Sequence, residues 1–275
     1  MPRLSVDGAQ INVETAGSGP ALVLLHGFTA SAAVWEPHVG EFARRYHTVA
    51  VDLLGHGLSD APDDPRRYDL AHCVEDVLGV LDRLAIRRAS ILGYSMGGRA
   101  ALALAIAAPE RLSALILESA SPGLRDPEVR LTRAAQDAML ADAIERDGVE
   151  TFVDQWELLP LFAGHASLPE DARSALRALR LQNRAAGLAN SLRGFGQGVM
   201  MPMHDFLGGI RTPTLILAGA LDQQYCDVGR DMSARIPSAV LRIVEGAGHT
   251  IHLEQPEIFR QAVLDFLAAV NHDPS

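Results

Sequence analysis

The alternation of short strand-like runs with longer helical patterns constrains this chain more than any other feature. Apolar-rich segments of strand length lie at residues 21–25, 48–53, 89–92, 114–118, 214–218 and 241–244. Runs that are apolar on every side read as strands buried on both faces. Helical patterns separate them at 31–44, 70–84 and 96–108, and a last one closes the chain at 256–270. In the first of these Trp35, Val39 and Phe42 share one face, and Pro256 stands at an allowed first-turn position. Strand alternating with helix predicts an α/β fold with a mainly parallel sheet. Ahead of it, residues 4–6 and 11–15 flank Asp7-Gly8, a hairpin turn signal.

The rhythm breaks between about Gly123 and Leu207. There the patterns are helical only, at 128–146, 149–156, 169–184 and 187–194. The expected organisation is therefore a core of residues 1–122 and 208–275 with a helical cap inserted at 123–207. A cap of this kind sits over the carboxyl ends of the strands, where such sheets hold ligands.

Composition narrows the chemistry. All 24 basic residues are arginine, so no Schiff-base lysine and no P-loop lysine exists. The net charge of −10 argues against a nucleic-acid partner. Cys73 and Cys226 match no metal spacing, and no metal or cofactor is expected. The N-terminus lacks the apolar run of a signal peptide, and the longest apolar stretch, 100–108, is too short to span a bilayer. A cytoplasmic protein without membrane insertion is expected.

Gly93-Tyr94-Ser95-Met96-Gly97 fits G-x-S-x-G, and it stands between a strand and a helix of small residues. A strand-to-helix elbow needs glycines because the nucleophile's backbone is strained and its neighbours pass close by. A serine hydroxyl at neutral pH needs a histidine to take its proton and an acid to orient that histidine. His249, in Gly246-Ala247-Gly248-His249 just past a strand, is favoured over His252, which is expected to face the following helix. Asp222, one strand earlier, is favoured over Glu118, while Asp227 and Asp231 read as surface charges. The order Ser95, Asp222, His249 is that of a catalytic triad on a hydrolase-type α/β sheet. His26-Gly27-Phe28 follows a strand. The turn there would aim the Phe28 N–H at the serine, and with the Met96 N–H it would form an oxyanion hole. His26 and the loop 54–59 are expected to be structural.

On these residues the chain resembles the α/β-hydrolases over its whole length. Among them it is similar to the 2-succinyl-6-hydroxy-2,4-cyclohexadiene-1-carboxylate synthases, lyases of menaquinone biosynthesis. The blocks carrying the resemblance are His26-Gly27-Phe28-Thr29, residues 93–99 ending in Arg99, and Leu117-Glu118-Ser119 running on to Pro122-Gly123-Leu124. In the cap they are Trp156 with Pro160-Leu161-Phe162, and residues 188–192, and Gly248-His249-Thr250-Ile251-His252 completes the set. The resemblance implies elimination of pyruvate from 2-succinyl-5-enolpyruvyl-6-hydroxy-3-cyclohexene-1-carboxylate, with the triad as base and no acyl-enzyme. It implies a small tricarboxylate substrate held by Arg99, Arg133 (with Arg130 one turn away) and Arg180, and an apolar wall of Tyr94, Trp156 and Phe162. The chain departs from relatives at Arg125, in place of glutamine, and at Glu157, in place of an aromatic residue.

Residues 123–208 hold nine arginines against twelve acids, net −3, so the cap is not basic as a whole. Arg173, Arg177, Arg180 and Arg184 form one helical stripe, ordinarily a solvated face. The same triad would also serve a carboxylesterase or a carbon–carbon bond hydrolase, and the fold also hosts ligand receptors. A dehalogenase is excluded, because its nucleophile would be aspartate where Ser95 stands.

Overall fold

The apolar runs assemble into one eight-stranded sheet in a computed structural model that describes residues 3–272. The strands are β1 (Arg3–Val6), β2 (Ala9–Ala16), β3 (Ala21–Leu25), β4 (His47–Val51), β5 (Ala89–Tyr94), β6 (Leu112–Glu118), β7 (Thr214–Gly219) and β8 (Ala239–Val244). Their order is β1-β2-β4-β3-β5-β6-β7-β8. β1 and β2 pair antiparallel around Asp7-Gly8, and β2 pairs antiparallel with β4. Every pairing from β4 to β8 is parallel, as the alternation predicts.

The helices are α1 (Glu36–Phe42), α2 (Leu70–Arg83), α3 (Met96–Ala107), α4 (Pro127–Trp156), α5 (Glu170–Leu181), α6 (Ala185–Phe195), α7 (Gln223–Arg235), α8 (Ile251–Glu254) and α9 (Pro256–His272). Alternate residues of each central strand feed opposite layers. Val23, Leu25 and Ile91 pack with Val77 and Leu81 of α2 and Leu102 of α3. Leu22, Leu24 and Leu92 pack with Trp35, Phe42 of α1 and Phe259 of α9.

Between β6 and β7 the chain is helical, with its own apolar cluster of Ile144, Phe152, Val153, Leu188 and Leu192, against which Phe28 of the sheet side packs. Some elements differ from their sequence patterns. The 31–44 pattern divides into a 3-10 turn (Ala32–Trp35) and α1, because Pro37 lacks an N–H and restarts the helix. The patterns 128–146 and 149–156, by contrast, stay two helical segments within α4, separated at Gly148, whose φ of 86° and ψ of 165° are not helical. A 3-10 stretch, Pro160–Ser167, was not foreseen, since its run of small and apolar residues has no clear period. The arginine stripe is largely the solvated face its spacing predicts: Arg173 and Arg184 are exposed and Arg177 is half-buried, and of the four only Arg180 is buried, at 4% exposure. Arg184 also donates to the Ser59 carbonyl. The loop 54–59 thereby ties the helical segment to the sheet, and Gly57 N–H also donates to Asn183 at 3.0 Å.

Four buried histidines are held neutral by loss of solvation: His26 is pushed down to about 4, and His38, His56 and His165 to about 3. Unfolded, each would titrate near 6.5. The unfolded chain therefore binds more protons below that value, and these groups' contribution, complete above pH 6.5, is lost as pH falls toward 3–4. Urea unfolding midpoints measured from pH 7.5 to 4.5 are expected to fall steadily below pH 6.5. A midpoint flat across that range would overturn this assignment.

Candidate active site

The elbow is built by close backbone approach. Ser95 takes φ 50° and ψ −105° between β5 and α3, a sparsely populated conformation for a residue with a Cβ. Its N–H donates to the Glu118 carbonyl at 2.8 Å, which fixes the turn against β6. A Cβ on Gly93 would overlap the Gly97 carbonyl, and one on Gly97 would overlap the Leu25 carbonyl. Those two glycines let the helix start sit directly on the strand ends.

Ser95 Oγ lies 3.1 Å from His249 Nε2, and His249 Nδ1 lies 2.7 Å from Asp222 Oδ2. The loops that bring the last two together are zipped by backbone bonds. Ala220 N–H donates to the Val244 carbonyl and Leu221 N–H to the Ala247 carbonyl, both at 2.9 Å. Asp222 also caps α7, its Oδ1 accepting the Tyr225 N–H at 3.3 Å. Three rings surround the His249 imidazole, with centroids of Tyr225 at 4.6 Å, Tyr94 at 5.5 Å and Phe162 at 6.4 Å. Glu254 steadies the same loop, accepting from Gly248 N–H at 2.7 Å and from the Thr250 hydroxyl at 2.6 Å.

The two competitors of the sequence reading pair with each other. His252 Nδ1 is 2.8 Å from Glu118 Oε1, and its N–H donates to the same oxygen at 3.0 Å. His252 does meet Phe259 of α9, at 6.0 Å between rings. Its partner Glu118 lies beneath the elbow rather than in reach of His249. His26 supports its turn: Nε2 accepts the Leu53 N–H at 3.0 Å, so the proton is on Nδ1, 2.7 Å from the Gly27 carbonyl. Asp227 and Asp231 form exposed pairs with Arg230 and Arg235.

A cavity of about 170 Å³ opens above Ser95 and reaches His249, Phe28, Tyr94, Met96, Trp156 and Phe162. Met96 is the first residue of α3, so its N–H has no intrahelical acceptor. Arg99 and Arg133 line the same cavity. Arg99 is 8% exposed. Its guanidinium donates to the Phe195 carbonyl at 2.8 Å and rests on the Phe195 ring at 4.8 Å. Among the described residues it has no carboxylate partner, and burial pushes its pKa down to about 10. Arg133 Nε donates to Asp137 Oδ1 at 2.7 Å.

The structure does not bring the other two arginines to this cavity. Arg130, three positions before Arg133, does not line the cavity, and its Nε is buried without a hydrogen-bond partner among the described residues. Arg180 lies behind Phe162, its guanidinium 5.1 Å from that ring, and is held by Glu157 at 2.9 Å. It lines a separate cavity of about 480 Å³, and Phe162 lines both. Glu157, the departure noted in the sequence, thus occupies the arginine that a ligand would need. Asp137, Gln197, Gln224 and Tyr225 line the first cavity and were missed. Tyr225 stands three residues after Asp222, one turn into a helix that Asp222 caps, which was the signal available for it.

A family model for the alpha/beta hydrolase fold matches residues 20–256. The chain belongs to the α/β-hydrolase family. It is 40% identical over 266 residues to a Bacillus subtilis protein named as a 2-succinyl-6-hydroxy-2,4-cyclohexadiene-1-carboxylate synthase, covering 96% of this chain and 97% of that protein. It is 30% identical over 251 residues to the synthase of the same name from Salmonella paratyphi C, covering 91% of this chain and 93% of that one. The structure of MenH from S. aureus superposes with a TM-score of 0.91 at 33% identity, over 95% of this chain and 99% of that one. Within the α/β-hydrolases the chain is therefore grouped with these synthases.

Proposed function

We propose that this α/β-hydrolase-fold chain is a lyase that eliminates pyruvate from 2-succinyl-5-enolpyruvyl-6-hydroxy-3-cyclohexene-1-carboxylate, giving 2-succinyl-6-hydroxy-2,4-cyclohexadiene-1-carboxylate for menaquinone biosynthesis in the cytoplasm. The ring locants define the bonds. A C2 proton leaves, the C3–C4 double bond moves to become C2–C3 and C4–C5 double bonds, and the C5–oxygen bond breaks with the enol of pyruvate departing. Ser95 removes the proton and passes its own to His249, whose imidazolium Asp222 stabilises; the imidazolium then returns a proton to the departing enolate oxygen, releasing the enol and restoring the neutral triad. As charge builds on the succinyl carbonyl, the N–H groups of Phe28 and Met96 stabilise it. Residues 123–207 act as the cap that closes over this site.

The observation that carries the reading is Arg99, a buried cation with no carboxylate partner among the described residues, facing the cavity that the Ser95–His249–Asp222 chain enters. A buried cation of this kind is stabilised when an anion arrives. The cavity is smaller than the ~300–1,000 Å³ of common ligand pockets. A tricarboxylate enters it when Phe162 turns aside, which joins it to the space in front of Arg180. Arg99 and Arg133 then share one substrate carboxylate, and Arg180 exchanges Glu157 for another.

Purified protein supplied with the enolpyruvyl substrate is expected to release pyruvate, followed through reduction by lactate dehydrogenase. An absence of pyruvate together with rapid turnover of simple esters would favour a hydrolase and sink the lyase reading.

A further inference from the structure

Tyr225 and Gln197 meet in the wall of the cavity, where both Arg99 and Arg133 act electrostatically on the Tyr225 hydroxyl. Gln197 Nε2 lies 3.3 Å from the Tyr225 hydroxyl, and both side chains line the cavity with Arg99 and Arg133. This single hydrogen bond leaves proton donors unused whichever way the amide is turned. If the amide donates, the phenol proton is free, and if the phenol donates, the amide NH₂ is free. Burial raises the pKa of Tyr225, with the Arg99 guanidinium opposing, so the hydroxyl keeps its proton near neutrality. The formal charge here is Arg99 plus Arg133 less Asp137, or 2 − 1 = +1. One carboxylate neutralises it. The Tyr225 ring also packs on the His249 imidazole, with centroids 4.6 Å apart at 65°.

We propose that Tyr225, supported by Gln197, is a specificity-determining residue that completes a one-carboxylate subsite with Arg99 and Arg133. Its hydroxyl contacts the ligand's carboxylate, while its ring packs on the histidine that works on the reacting carbon. The subsite fixes the distance between the carboxylate and the proton to be removed. This rests on the lyase reading only in naming the substrate, since the subsite itself selects any small carboxylate that reaches past Ser95.

The test pairs a binding measurement with a kinetic one. Succinate binding by calorimetry is compared in the wild type, Tyr225→Phe, Gln197→Leu and Arg99→Met. Tyr225→Phe keeps the ring on His249 and removes only the hydroxyl, so its succinate Kd is expected to rise roughly tenfold, as for one hydrogen bond to a charged group. Gln197→Leu is expected to weaken binding less, and Arg99→Met to abolish it. In the pyruvate-release assay Tyr225→Phe is expected to raise KM by a similar factor, with kcat changed no more than about threefold. An unchanged succinate Kd in Tyr225→Phe, or a wild type that binds no succinate, overturns the subsite. Pyruvate release from the wild type with an unchanged Tyr225→Phe Kd removes the subsite and leaves the lyase standing. Weakened succinate binding with no pyruvate release does the reverse.

Discussion

Ser95→Ala is expected to lower kcat/KM for pyruvate release about 10²–10⁴-fold, the range for loss of a positioned proton-transfer group. Structural cost is small. Ser95 Oγ makes one contact, to His249 at 3.1 Å, and alanine inherits the same φ of 50°. The unfolding midpoint should therefore stay within about 1 kcal/mol of wild type. Asp222→Asn should fall within the same range while leaving the fold intact, because the asparagine amide would present a donor to Nδ1 and favour the wrong tautomer. What separates this chemistry from hydrolysis is covalency. A base returns the proton and carries nothing else, so intact-protein mass spectrometry of enzyme quenched during turnover should show the unmodified mass. A substrate-derived adduct on Ser95 would mean a nucleophile and overturn the role of base. Turnover that survives Ser95→Ala unchanged would remove the site altogether.

The parts of this arrangement that were legible in sequence are those fixed by local geometry. The elbow needs glycines flanking Ser95, and the loops after β7 and β8 need small residues to let Gly219 lie against the Gly248 carbonyl. Such requirements write themselves into a few adjacent positions. The parity of the apolar runs likewise determines which residues enter the sheet core. What was not legible depends on contacts between distant elements. Glu118 and His252 each fitted a catalytic role until their pairing across 134 positions became visible. Arg180 fitted a ligand role until Glu157, the residue after Trp156 at the end of α4, was seen to hold it. Residue type and helical phase say that an arginine faces inward; they do not say whether its carboxylate belongs to the protein or to the substrate.

That question can be put directly to Arg99, where substitution should separate function from stability. An arginine retained for structure makes an ion pair, and its removal strands a buried carboxylate at a cost of about 3–5 kcal/mol. Arg99 has no such partner among the described residues. It donates to the Phe195 carbonyl and packs on the Phe195 ring, and its burial disfavours its charged form. Arg99→Met fills much of the same volume, removes the desolvated charge, and leaves one carbonyl without a donor. Even a buried ion pair can be replaced by apolar volume with a gain of up to about 1–4 kcal/mol, and the orphaned carbonyl costs about 1–3 kcal/mol. The two nearly cancel, so the unfolding free energy of the variant should equal or exceed that of wild type. Activity should move far in the other direction. Two charge-assisted hydrogen bonds to a substrate carboxylate correspond to a loss in kcat/KM of about 10²–10³. Arg99→Lys, a point charge in place of a fork, should recover only part of it. Saturating carboxylate should raise the melting temperature of wild type and leave that of Arg99→Met where it was. A variant destabilised by several kcal/mol that still turns over at the wild-type rate would assign Arg99 to the fold and leave the cavity without its anion site.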